Sequence, residues 1–119
     1  MMILDLNSVQ LPRVNERYNK NFSLTNAYRD KKQNLIDEIT LNCRGMKKVK
    51  SPYVVLIQVG THLDIDSFVK PLLDAMQKAE VINNDKNVLA LTIEKTTVKK
   101  NQDNWIKVEL LEYWEVIAW

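Results

Sequence analysis

Apolar and polar positions along the chain change period several times, and each change predicts an element. From about Asn26 to Arg44, Tyr28, Leu35, Ile36, Ile39 and Cys43 recur at spacings of three, four and seven. That period gathers side chains on one face of an amphipathic helix, and Gly45 fits as its C-terminal stop. Residues 53–60 switch to period two, with Val55, Ile57 and Val59 on one side and Val54, Leu56 and Gln58 on the other. Their β-branched character predicts a central strand buried on both faces. Val69, Leu72, Leu73 and Met76 restore helical spacing, with Asp66 or Ser67 available as the cap. Pro71 belongs in a first turn, because proline lacks an N–H and crowds the preceding turn, so the regular helix is expected to begin nearer Lys70 than Asp66. After the polar turn Asn83-Asn84-Asp85-Lys86, residues 88–98 and 104–113 read as two strands joined by a polar loop at 99–103. Ile106, Val108 and Leu110 alternate there with Lys107 and Glu109, the pattern of a half-buried strand. Residues 2–6 predict a short first strand and residues 15–21 an exposed basic loop. The order β-α-β-α-β-β predicts an α+β domain, a mixed sheet of about four strands with two helices.

Composition narrows the class. With 119 residues, 45% of them apolar, two glycines and three prolines, the chain is expected to form a single domain over residues 1–119, large enough for a core without staples. The lone Cys43 cannot form an intrachain disulfide. No basic leader precedes a long apolar stretch, and no unbroken apolar run exceeds about Tyr53 to Ile57. Neither a signal peptide nor a membrane span is expected, and the predicted location is cytoplasmic. The overall charge of +2 hides an asymmetry: ten Lys/Arg face five Asp/Glu in residues 1–50, and seven face ten in residues 51–119. A basic first half suits a polyanion, and an acidic second half beside it suggests carboxylates that hold cations; an ordinary solvated surface is the plainer alternative.

The acids have a definite spacing. Asp64 and Asp66 are two apart, so if the chain stays extended beyond the strand at 53–60 their side chains leave on the same side. Adjacent carboxylates repel unless a positive charge lies between them, a place that a divalent cation fills. Mg2+ takes oxygen ligands and keeps waters, so one to three carboxylates suffice, and Asp85 at the mouth of the next strand is the natural third. Lys70 follows Asp66 by four residues and Asp74 follows Lys70 by four, which equally describes an exposed ion-pair ladder on a helix. His62, the one histidine, could share the face of Asp64 or serve as a hydrogen-bonded structural residue; it has no Cys/His partners for zinc. The chain contains neither a phosphate-cradling glycine loop nor a Ser-His-Asp layout.

The run Asp64-Ile-Asp66-Ser-Phe-Val-Lys70-Pro-Leu-Leu-Asp74-Ala-Met, followed by Asn84-Asp85-Lys-Asn-Val88, resembles the RusA family of Holliday-junction resolvases. That family shows D-x-D-N, a lysine four beyond the second aspartate, D-A-L four beyond the lysine, and then D-D-x-x-V. Pro12-Arg-Val-Asn15-Glu-Arg-Tyr18 is similar to its N-terminal P-x-x-N-x-x-Y, and Ala27-Tyr28-Arg29 to its first helix. Ser67 stands where the family usually has asparagine, and Asn84 where it usually has the first aspartate of the pair. The resemblance implies a RusA-like fold in which Asp64, Asp66 and Asp85 bind the catalytic metal, Mg2+ or Mn2+. It also implies that Lys70 is the catalytic lysine and Asp74 an accessory acid. The implied activity is Mg2+-dependent hydrolysis of DNA phosphodiesters at four-way junctions, by paired symmetric incision from a C2 homodimer, in recombination and repair. A junction-binding protein with a degenerate, inactive metal site is the alternative. Candidate DNA contacts are Arg13, Asn15, Arg17, Lys20, Arg29, Lys31 and Lys32, with Lys47, Lys48 and Lys50 as a second cluster. The tryptophans Trp105, Trp114 and Trp119 suit either the dimer interface or plain core packing.

Overall fold

A computed structural model describes residues 1–13 and 25–117. Their elements run β1 (Met2–Val9), α1 (Asn26–Asn42), β2 (Tyr53–Thr61), α2 (Ile65–Lys78), a 3₁₀ turn (Asp85–Asn87), β3 (Val88–Thr97), β4 (Asn104–Glu112) and α3 (Tyr113–Ile117). The protein is therefore α+β with a four-stranded mixed sheet. It has three helices among the described residues where two were expected, because the apolar tail after β4 closes into α3.

The strands lie in the order β1-β4-β2-β3, with β4 antiparallel to both neighbours and β3 parallel to β2. Register aligns the apolar positions in rows across the sheet: Met2, Leu110, Val55 and Leu91, then Leu4, Val108, Ile57 and Ile93. Helices α1 and α2 cover this face, contributing Leu35 and Ile39 from one and Phe68, Leu72, Ala75 and Met76 from the other. Each fully buried Val, Leu, Ile or Phe contributes about 1.5–3 kcal/mol, so these rows and the two helix stripes hold the fold together. The opposite face is polar, crossed by the row Asp5, Lys107, Gln58 and Glu94.

β2 is central, as its pattern predicts, but it is buried fully on one face only. On the other face Val54 is covered while Gln58 is exposed. At Gly60 cover comes from Trp105 of β4. A methyl group on Gly60 would lie 1.9 Å from the indole nitrogen, so only glycine lets the ring lie against the strand. Trp114 is exposed, and Trp119 lies outside the described residues.

Both long helices begin where polar side chains interrupt the apolar pattern. Thr25 Oγ1 accepts the Tyr28 N–H at 3.1 Å and starts α1. α1 ends at Cys43, whose N–H bonds to Ile39, and Gly45 turns the chain with φ +76°. Helix α2 corrects one expectation: it begins at Ile65, not near Lys70, and Pro71 lies inside it. The helix tolerates the missing N–H because Pro71 belongs to its buried face with Phe68, Leu72, Ala75 and Met76, and burial of that stripe outweighs a local cost of about 3 kcal/mol. Among the described residues no helix is long and apolar enough to cross a membrane.

Candidate active site

The sharp change from strand to helix decides where the acids point. Asp64 is the N-cap of α2, still extended at φ −71° and ψ 144°, and Asp66 is already in the first helical turn. The chain is thus not extended across the pair, and the strand alternation that would align Asp64 with Asp66 does not apply. The Asp64 carboxylate makes no capping bond; its carbonyl oxygen accepts from the Ser67 N–H at 3.1 Å and the Ser67 hydroxyl at 2.6 Å. Both aspartates are exposed, and their negative charge complements the positive end of the helix.

One turn further on, Lys70 becomes the centre of an ion-pair group. Its Nζ lies 3.0 Å from Asp74 on the same helix and bonds to the Asp85 carboxylate across from it. Asp74 also faces Lys32 of α1 at 4.0 Å, and Lys32 lies 5.8 Å from the centre of the Tyr28 ring. Asp85 is fixed by its backbone as well: its N–H donates to Gln77 Oε1 at 3.1 Å, on the stripe that carries Lys70 and Asp74. Asn84 caps the 3₁₀ turn by accepting the Lys86 N–H at 3.0 Å, so its side chain holds Asp85 in place. Hydrogen bonds from Lys70 to Asp85, and then to Asp74, hold the lysine above its usual 10.5. The same Lys70 bond draws the Asp85 carboxyl below its usual 3.8.

Topology explains which acids meet. Because β3 is parallel to β2, α2 carries the chain back past the sheet, and Val88 pairs beside Tyr53 at the start of β2. Asp85 therefore enters near the beginning of β2, whereas Asp64 follows its end. Lys70 lies about 9 Å along the helix axis from Asp64, at a rise of 1.5 Å per residue, and its long side chain reaches Asp85. Among the described residues, no three His, Cys, Asp or Glu side chains are grouped closely enough to hold a metal ion together.

Close to Asp64 and Asp66 lies a set of basic side chains. Arg13, Lys31, His62 and Lys100 line one cleft, and Lys95 Nζ donates to the Leu63 carbonyl at 2.7 Å. Arg29 is exposed and Lys31 and Lys32 are partly buried, while Asn15, Arg17 and Lys20 lie outside the described residues. Lys47, Lys48 and Lys50 are exposed beyond α1, with Lys48 4.0 Å from Glu80.

Sequence reasoning missed Gln77, Lys95 and Lys100. Gln77 was open to discovery, being seven residues from Lys70 on the same helix face. Lys95 alternates onto the helix-covered side of β3 with Ile93, a signal that becomes readable only once the sheet order is known. Compared with known proteins, the chain matches no family model and no curated protein.

Proposed function

We propose that the chain is an Mg2+-dependent, structure-selective endodeoxyribonuclease of the RusA type that resolves four-way (Holliday) DNA junctions by paired symmetric incision in recombination and repair. The observation that carries this reading is the meeting of Lys70 with Asp85, fifteen residues away, on a helix that has Asp64 as its N-cap and Asp66 in its first turn. A surface ladder needs no such partner from another segment.

The donor set suits a hard divalent cation in kind, since Asp64, Asp66 and Asp85 offer carboxylate oxygens and no thiolate. By the resemblance these three would hold the ion, but they are not grouped here: Asp85 lies toward the start of β2 and Asp64 beyond its end, so metal binding would have to draw them together. Bound Mg2+ supplies an acidified water and neutralises charge on the phosphate. The protein supplies the rest. Asp74 anchors Lys70 from below, and the ammonium donates to the scissile phosphate, where it stabilises developing negative charge. Arg13, Arg29, Lys31 and Lys32 position the backbone without reading sequence. Two strands must be cut at symmetry-related points, which calls for a C2 homodimer with one site per protomer.

One observation favours a second reading, a junction-binding protein with a degenerate metal site: Asp85 is already paired with Lys70, and no three acids are grouped among the described residues. Incubating a synthetic four-way junction with the protein, with and without Mg2+, separates the two. Symmetric nicks that require the metal, and that fall by at least about a hundredfold in Asp66→Asn and Asp85→Asn, are expected, a loss in line with removal of a principal transition-state stabiliser. Tight junction binding without incision favours the second reading. Full cutting by both folded variants rejects the site.

A further inference from the structure

The corner between β2 and α2, which carries Asp64, is held by bonds on both sides of that residue. Ahead of it, side chains take both backbone polar atoms of Leu63: the N–H donates to Thr61 Oγ1 at 3.1 Å, and the carbonyl accepts from Lys95 Nζ at 2.7 Å. Behind it, the Asp64 carbonyl accepts the N–H and the hydroxyl of Ser67. Thr61, fully buried, and Ser67 are local partners. Of the three, only Lys95 comes from another element, thirty-two residues further on. The Leu63 carbonyl precedes the N-cap and lies outside the hydrogen-bond ladder of α2, so without Lys95 nothing in the helix would hold it.

A lysine is costly at this position. Lys95 pairs with Val59 on the helix-covered side of the sheet, in line with Leu91 beside Val55 and Ile93 beside Ile57, and it is partly buried. Fixing a long side chain there surrenders rotamer freedom and strips water from an ammonium. A charge-assisted bond to the Leu63 carbonyl offsets part of that cost, and its product is a corner tied to β3. The Asp64 carboxylate itself makes no capping bond, so the backbone of this corner is what carries it to its place.

We infer that Lys95 is a positioning residue for the proposed incision: by holding the Leu63 carbonyl, it fixes the corner from which Asp64 is presented. The inference rests on the endonuclease reading for the reaction that Asp64 serves. Lys95 acts through the backbone, so its loss affects turnover and leaves the grip on DNA unchanged.

The test combines backbone amide hydrogen exchange, followed by NMR in metal-free protein, with steady-state incision of a four-way junction in Mg2+. Lys95→Met keeps the aliphatic stem and removes the donor; Lys95→Arg keeps a donor and the charge; Lys99→Met alters an exposed lysine beyond β3. In Lys95→Met the Leu63 and Ser67 amides are expected to lose protection by about tenfold, the effect of one bond to a charged group, while Val55 and Ile57 keep theirs. Its kcat is expected to fall at least about tenfold with KM for the junction unchanged, since a misplacement of about 1 Å can cost a hundredfold. Lys95→Arg should regain part of both, and Lys99→Met should match the unaltered protein. Unchanged exchange at the corner overturns the inference, as does faster exchange with unchanged kcat. A rise in KM in place of the fall in kcat also overturns it, because Lys95 would then be touching DNA. Lys95→Gln replaces Lys95→Met if the latter does not fold; if neither folds, the lysine serves the fold and the inference is rejected. In all these cases the unaltered protein still cuts and the endonuclease reading stands. If the unaltered protein does not cut, that reading falls, and the assignment of Lys95 to incision falls with it.

Discussion

Lys70 has two carboxylate partners of different origin, and the difference governs what each contributes. Asp74, four residues along the same helix, comes with the helix itself; Asp85 arrives from the far side of a crossover and meets Lys70 only in the folded chain. The Asp85 contact therefore links protonation to folding, and its sign follows from the shifts. The Asp85 carboxyl is depressed, so its share of stability is present above the ordinary 3.8 and is lost as pH falls through the lower folded value. The Lys70 ammonium is raised, so its share is present below 10.5 and is lost as pH rises through the higher folded value. With the lysine side chain 58% exposed, solvent screens the pair and the effect is small. Urea denaturation of the protein and of Asp85→Asn in the presence of EDTA is expected to show a stability difference that is flat from about pH 5 to 9 and shrinks toward either extreme. A difference that changes across the neutral range would assign the linkage to another group.

At the scale of elements, the end of α2 carries a local conflict that a single substitution resolves. The Val81 N–H bonds back to the Met76 carbonyl at 2.9 Å and the Glu80 N–H to Gln77 at 3.0 Å, which closes the helix with Glu80 at φ +62°. Glycine is the usual occupant of that left-handed position, because a Cβ there costs about 1 kcal/mol or more. Glu80→Gly is expected to stabilise the fold by up to about 1 kcal/mol, since the Lys48 pair it removes is largely solvent-exposed and worth little. A raised midpoint in thermal or urea unfolding checks this, and a lowered one would mean that the Lys48 contact outweighs the strain. The same element shows how far pattern alone reaches. Val69, Leu72, Leu73 and Met76 disclosed the helix because burial imposes a period, yet the start was misplaced by the local rule for Pro71. That residue is inside because tertiary packing of Phe68 and Leu72 overrides propensity. The strands followed their alternation closely, and β1 ran three residues beyond its expected end because Ser8, at φ +57°, bulges and returns Val9 to the covered face. In the candidate site the Lys70–Asp74 spacing was visible in the sequence. The pairing of Asp85 with Lys70 and the turn of the chain between Asp64 and Asp66 were not, since both depend on where β2 ends and on β3 lying parallel beside it.

For the whole molecule, residues from both halves of the chain meet around α2: Arg13, Lys31, His62 and Lys100 line a cleft near its start, and Lys70, Asp74 and Asp85 gather along its flank. On the proposed endonuclease reading, one such arrangement cuts one strand. Releasing two duplexes from a junction takes two, and if they belong to one C2 dimer, a mixed dimer of active and inactive chains must fail in a particular way. Asp66 is exposed in the first turn of α2, so Asp66→Asn removes a carboxylate with little effect on packing. Unaltered protein mixed with an excess of Asp66→Asn, allowed to exchange subunits and then added to a junction with Mg2+, is expected to yield singly nicked junctions at the expense of paired incisions. The fall in paired products should follow the square of the active fraction, because both subunits of a dimer must be competent. A fall in simple proportion to the active fraction would mean that each chain cuts on its own, and the symmetric dimer would then have no part in the reaction.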